Sequence, residues 1–329
     1  MDSSPDYARS ETQALDRPGL RPADLAVLAF IGLLSLLVLL NYREIPSANR
    51  LLMVHVFIAS ILIYAARFPI AGSPWWIKAI RLWHPPVFIT VLFGHLVEII
   101  PAATAADRDQ LLIGWDQWLF GQHPSVFLGQ FQLPLLTELL QYVYTCFYFI
   151  PLGLAIVIVA KRRLALYDYY FFLMCYGFFF SYLGYFLIPA IGPRFTLQHL
   201  YAEPLQGVLL YDQMVNLLNY LESVNRDCFP SGHVMMTLVA LHFAWRHEKT
   251  AFRVMLPPGI LLIFGTVYLR YHYLVDLVAA LGWYLFVFYT APHLYRMALR
   301  VVFAPARQPV WGRPFAPAKS RPAAWEDEK

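Results

Sequence analysis

The chain has 329 residues, 59% of them hydrophobic and 14% charged, with a mean hydropathy of +0.51, a net charge of +4 and a pI near 8.9. That apolar content excludes an ordinary water-soluble enzyme and points to a polytopic membrane protein. The positive balance does not read as nucleic-acid binding, because Lys and Arg sit at the ends of apolar runs and in the tails rather than in an aromatic-interleaved basic stripe. Cys146, Cys175 and Cys228 are too few and too scattered for a disulfide framework or a Cys-based zinc site.

In chain order, residues 1–24 read as a cytoplasmic N-terminal segment without the short basic start and small-residue cleavage site of a secretory signal, so the first apolar run is taken as a retained span. A spanning helix needs roughly 20 mostly apolar residues. About eight runs qualify: 25–41 and 50–66, then 87–104, 134–160, 167–189, 232–246, 252–269 and 272–295. Two outer segments are too polar to span and too apolar to stay in water. Residues 111–131 carry Trp115, Trp118 and Phe120, residue types that settle at headgroup depth, and residues 205–222 place their apolar positions near one helical face. Both read as interfacial helices. The Pro-rich residues 296–329 read as a disordered cytoplasmic tail. With both termini inside, 19 of the 25 Lys and Arg fall on the cytoplasmic side, the asymmetry that the positive-inside rule expects. The expected fold is therefore all-α, a multi-pass protein of the cell membrane.

Three short stretches carry the chemistry, and this topology brings all of them to the outer face. In CFPSGH (228–233), Ser231 is a good N-cap, so Ser231, Gly232 and His233 open a helix whose free amides favour an anion, which Gly232 lets approach closely. In YLRYHYLVD (268–276), His272 and Asp276 are four apart and share one helical face, where a carboxylate orients an imidazole and stabilises its charged form. In IGPRF (191–195), Arg194 offers a planar fork suited to phosphate.

These stretches resemble the three signature motifs of the type 2 phosphatidic acid phosphatase superfamily, usually K-x6-R-P, P-S-G-H and S-R-x5-H-x3-D. The YxxYHYxxD form of the third and the WDQWLFG segment before the core are similar to the inositol phosphorylceramide synthase branch. The resemblance covers about residues 87–295, a six-helix catalytic core, with residues 25–66 as two additional transmembrane helices. It implies that His272 attacks phosphorus and forms a phosphohistidine, that Asp276 positions it and that His233 protonates the leaving alcohol. Arg194, Ser231 and Gly232 would bind the phosphoryl oxygens, with no cofactor and no metal. Two positions depart from the pattern: Leu187 stands where the first-motif Lys is usual, and Thr266 where the third-motif Arg is usual. Arg270 is the candidate to replace one of these cations, although two residues from His272 on a helix it would point about 200° away unless the helix starts after it.

The function so implied is hydrolysis of a phosphate ester on a phosphorylated lipid at the outer leaflet of the bilayer, with Gly232 in the phosphatase form of the motif favouring water as acceptor. The alternative is a phosphotransferase that moves a phosphoryl-headgroup to a polyol or lipid. A transporter or channel with an outer His/Arg gate is the alternative of another class, disfavoured because the candidates cluster at one face. The remaining polar residues of the spans read as structural. His55, His95 and His242 are expected to be interhelical hydrogen-bonders, His95 to pair with Glu98, Glu138 to be structural, Asp168 and Asp212 to be solvated at helix ends, and Cys228 to be incidental. Arg226 and Asp227 are adjacent loop charges within reach of a headgroup.

Overall fold

The computed structural model describes residues 18–70, 72–104, 106–221 and 226–302. The expected cytoplasmic tail beyond residue 302 and most of the expected N-terminal segment lie outside them. Regular structure among the described residues is helical throughout: α1 (Pro22–Leu40), α2 (Ala48–Ala65), α3 (Trp75–Ala103), α4 (Asp109–Phe120), α5 (Pro124–Leu128), α6 (Pro134–Thr145), α7 (Phe149–Ala160), α8 (Leu164–Leu187), α9 (Pro193–Thr196), α10 (Tyr211–Leu221), α11 (Gly232–His247), α12 (Lys249–Tyr268) and α13 (Leu274–Val302).

Six of these, α1, α2, α3, α8, α12 and α13, are long and apolar enough to cross a membrane, and α6 with α7 adds a seventh if that bent pair is one span. The chain is a multi-pass membrane protein. The remaining expected span is α11, whose 16 residues rise about 24 Å, short of a hydrocarbon layer of about 30 Å. The run expected over 134–160 is broken by 50° between α6 and α7. Pro151 has no N–H to offer the Phe147 carbonyl and its ring crowds that oxygen, which accounts for a break at this point.

The third span begins at Trp75, well before the expected residue 87. Pro85 and Pro86 lie inside this helix, which runs through them. The carbonyls they leave without an i+4 donor belong to Arg81 and Leu82, and both are taken by other elements. The Arg21 guanidinium donates to Arg81 O, and Tyr167 Oη donates to Leu82 O at 2.8 Å. Freed carbonyls inside a membrane are tolerated when neighbouring helices satisfy them in this way.

Helix α8 is the axis of the bundle, with 72% of its most apolar stretch buried. It is apolar and aromatic all round, as a helix enclosed on every side must be, and it packs against α1, α3, α7, α11 and α13. Helix α1 is thus no peripheral addition. It lies directly on α8, where Phe30 stacks on Phe179 with centroids 4.4 Å apart.

Polar side chains fasten α1 and α2 to this bundle at both ends. At one end Arg21 Nε donates to Asp168 Oδ1 at 2.5 Å, Tyr295 Oη donates to Asp168 Oδ2 at 2.9 Å, and Asp24 pairs with His84 at 3.0 Å. Asp168 is fully buried here, not solvated as the sequence position suggested; a charge beside a cationic loop reads as solvated until a guanidinium from another helix end is found facing it. At the other end Glu98 accepts from Ser47 and from Arg50, and His95 bonds His55, which also bonds Ser35. The expected His95–Glu98 pairing is replaced by these partners from α2 and its N-cap, and Ser35 of α1 joins through His55. His242 bonds Tyr284 and stacks on Phe288, an interhelical role as expected.

Removing one member of a buried ion pair costs about 3–5 kcal/mol, because the other is left uncompensated. Arg21→Met alone should therefore lower the thermal midpoint in detergent sharply, and Arg21→Met with Asp168→Leu should recover much of the loss. Equal midpoints for the single variant and the parent would remove this pair from the account.

Candidate active site

Three loops meet at one end of the bundle, and each is shaped by local chemistry. After α8 the chain turns at Gly192, whose φ of 93° belongs to glycine and where an added Cβ would stand 2.8 Å from Tyr271 O. Before α11, Ser231 caps the helix by accepting from Val234 N at 3.4 Å. Between α12 and α13, the amides of Tyr271 and His272 both donate to Thr266 O at 3.0 Å, and Arg270 takes a φ of 66°. The loops are joined directly. Arg194 N donates to Arg270 O at 2.9 Å, and Cys228 N to Ala190 O at 3.2 Å.

The cleft where they meet is lined by Arg194, Asn219, Asp227, Cys228, His233 and His272, with Tyr144 and Tyr271 forming an aromatic wall. His272 Nδ1 lies 2.9 Å from Cys228 O and 3.3 Å from Asp276 Oδ2. A carbonyl oxygen only accepts, so Nδ1 carries a proton, and in the neutral ring Nε2 then keeps its lone pair. His233 opens α11 with its ring 6.2 Å from that of His272, stacked on Tyr144 at 4.4 Å and with Nδ1 3.2 Å from Tyr144 Oη. Arg194 donates to Asn219 Oδ1 at 3.0 Å and lies over the Phe195 and Tyr271 rings.

Not all of the expected site residues share this cleft. Ser231 is fully buried and spends its hydroxyl on the cap. The space a Cβ would need at Gly232 is held by Tyr185 Oη, 2.8 Å away, so the glycine serves close helix packing. Arg270 faces elsewhere: its guanidinium lies 3.7 Å over the Tyr201 ring and donates to Glu203 O at 3.0 Å, while its carbonyl holds Arg194. It ties the stretch after α9 to the His272 loop. The two departures from the motif pattern stay uncompensated in the cleft. Leu187 ends α8 and is 70% exposed, and Thr266 is buried with its hydroxyl on Ile263 O.

Other residues matter that motif reading passed over. Asp109 accepts from Ile191 N at 3.0 Å, Gly192 N at 2.9 Å and Tyr273 Oη at 2.8 Å, so one carboxylate clamps the Arg194 loop to the His272 loop. Asp116 accepts from Leu274 N at 3.1 Å and Val275 N at 2.8 Å, capping α13 in the same first turn that carries Asp276. Burial pushes Asp116 up to about 6 even though these amides pull it down. The available signal was their spacing, since acids seven apart share one face of a helix and here that face is α4's buried one. Glu138 accepts from Val208 N, Leu209 N and Leu210 N at 2.7–3.2 Å, which sets the start of α10 at Tyr211 rather than 205 and holds Leu218 and Asn219 at the cleft. Arg226 pairs with Asp107 at 2.6 Å, away from the cleft, while Asp227 lines it.

Residues 110–290 match the PAP2 superfamily. The chain belongs to the PAP2 superfamily. No curated protein and no solved structure gives a match. The PAP2 match begins in α4, the helix that carries Asp116, and ends within α13, so it takes in all three loops of the cleft and leaves α1, α2 and α3 outside. For a PAP2 protein, phosphatase or phosphotransferase activity is the class of chemistry to be derived from this geometry.

The Asp109 clamp gives a direct test. Asp109→Ala removes three hydrogen bonds that position both loops, each worth about 1 kcal/mol, and should lower kcat/KM about 10- to 100-fold with the protein still monodisperse in detergent. Activity within twofold of the parent would assign Asp109 to folding alone.

Proposed function

We propose that the chain is a phosphoric ester hydrolase of lipid phosphates, working at the outer leaflet through a phosphohistidine on His272. The observation that carries this reading is the engagement of His272 Nδ1 by Cys228 O and Asp276, which leaves the Nε2 lone pair directed into a cleft shared with His233 and Arg194. In the first step Nε2 attacks phosphorus, the phosphorus–oxygen ester bond breaks, and the leaving oxygen takes a proton from His233. The Arg194 guanidinium and the first amides of α11 hold the phosphoryl oxygens as charge develops. In the second step water attacks phosphorus and gives a proton to His233, the phosphorus–nitrogen bond breaks, and phosphate leaves with His272 restored. The covalent intermediate divides one displacement into two.

A second reading is favoured by the charge of the cleft. Among the described residues that line it, Arg194 is the single Lys or Arg, and Asp227 adds a carboxylate. One guanidinium matches the single negative charge of a phosphodiester better than the two charges of a monoester. On that count the acceptor in the second step is an alcohol, a polyol or a lipid hydroxyl, and the reaction is headgroup transfer. The two readings share His272, His233 and Asp276 and differ only in what attacks the phosphohistidine.

The roles are separable with purified full-length protein, labelled substrate and rapid quench. His272→Ala should abolish turnover and capture of phosphate. His233→Ala should lose about 10²–10⁴-fold with an alkyl leaving group, the usual contribution of a general acid, and recover much of it with a nitrophenyl leaving group that departs unprotonated. A phosphoenzyme that persists in His272→Ala and vanishes in His233→Ala would reverse the two assignments.

A further inference from the structure

Cys228 is the residue on which the geometry of His272 converges. Its carbonyl is the nearest partner of His272 Nδ1, at 2.9 Å against 3.3 Å for Asp276 Oδ2. Its thiol lies 3.0 Å from the same carboxylate oxygen, and its own amide is anchored on Ala190 O. The turn at Gly192 leaves the room, since even a Cβ there would come within 3.4 Å of the sulfur. Asp276 Oδ2 thus accepts from the Cys228 thiol and from Tyr273 N at 2.9 Å and shares the His272 Nδ1–H with the Cys228 carbonyl, while Oδ1, equally buried, has no hydrogen-bond partner among the described residues.

We propose that Cys228 is a positioning residue for His272, whose carbonyl fixes the ring and whose thiol, by donating to Asp276, limits how strongly the carboxylate holds the imidazole proton. This rests on the reading of His272 as the nucleophile. Each donor on Oδ2 takes part of the negative charge that would otherwise draw His272 toward its protonated, non-nucleophilic form. A thiol is a weak donor, but its bond to an ionised acceptor is strengthened. Burial first, and then the Asp276 carboxylate, hold this thiol well above its ordinary range, so it remains S–H and can donate. The three groups lie within 4.8 Å of one another, with thiol matched to carboxylate and imidazole N–H matched to carbonyl, as a hydrogen-bonded unit.

Other ionisable groups surround His272 and stay constant in the test: His233 on α11, Tyr144 on α6, Arg194 after α8, Asp227 beside Cys228, Tyr271 and Tyr273 on its own loop, and Asp109 and Asp116 on α4.

The test compares Cys228→Ala and Cys228→Ser in full-length protein in detergent, with a soluble nitrophenyl phosphate ester as substrate. In Cys228→Ala, kcat should fall about fivefold to tenfold with KM nearly unchanged, and the acid limb of kcat/KM should move up by about half a pH unit, the size expected for one lost hydrogen bond. Cys228→Ser keeps a donor and should restore the limb to the parent position. An unmoved or lowered limb in Cys228→Ala would overturn the proposal, leaving only packing for the thiol. If Cys228→Ala does not purify as a monodisperse species, the serine variant decides, since an upward shift of its limb overturns the proposal and a parental or lower limb supports it. His272→Ala separates the two levels. Loss of the phosphoenzyme there with parental limbs in the Cys228 variants overturns this inference alone, whereas a phosphoenzyme that survives His272→Ala overturns the reading beneath it.

Discussion

The bond from His272 Nδ1–H to the Cys228 carbonyl is the constraint on which the rest of the site depends. It joins the loop before α11 to the loop before α13, and it decides which ring nitrogen is available. Everything around it holds those two loops in register. Thr266 O gathers the amides of Tyr271 and His272, Asp109 reaches both the Gly192 turn and Tyr273, and Asp116 caps the helix that carries Asp276. Much of the precision comes from backbone groups, which explains how a site can be exact while its side-chain cations are few.

The membrane imposes a second constraint, because a polar group within it must find a partner inside the protein. The Arg21 side chain meets two such needs at once, ion-pairing with Asp168 on the central helix and satisfying the carbonyl that Pro85 orphans on α3. Helices α1 and α3 are thereby fixed against α8, whose far end leads into the Gly192 turn and Arg194. The two N-terminal helices therefore support the same scaffold that sets the cleft, although they contribute no residue to its lining.

Much of this was legible in the sequence. Apolar runs located the helices, Ser231 read as a cap because a hydroxyl before a glycine-led apolar run has few other uses, and the four-residue spacing of His272 and Asp276 placed them together. The misreadings share a cause. The third span was expected only from residue 87, whereas Pro85 and Pro86 stay within the helix because Arg21 and Tyr167, from distant sequence, take the carbonyls they free, and Asp168 looked solvated because its partner Arg21 is equally distant. Arg270 looked available to phosphate because its φ of 66°, which turns it toward Tyr201, is not written in residue type.

On this reading the His272 ring nitrogen facing the cleft does the chemistry while the other is held by the fold. This is tested most directly by trapping the phosphoenzyme and locating the phosphoryl group by phosphorus and nitrogen NMR on selectively labelled histidine. One phosphohistidine is expected, at Nε2 of His272. A phosphoryl group on Nδ1 of His272, or on His233, would contradict it, since the first would require breaking the bond to the Cys228 carbonyl and the second would exchange nucleophile and acid.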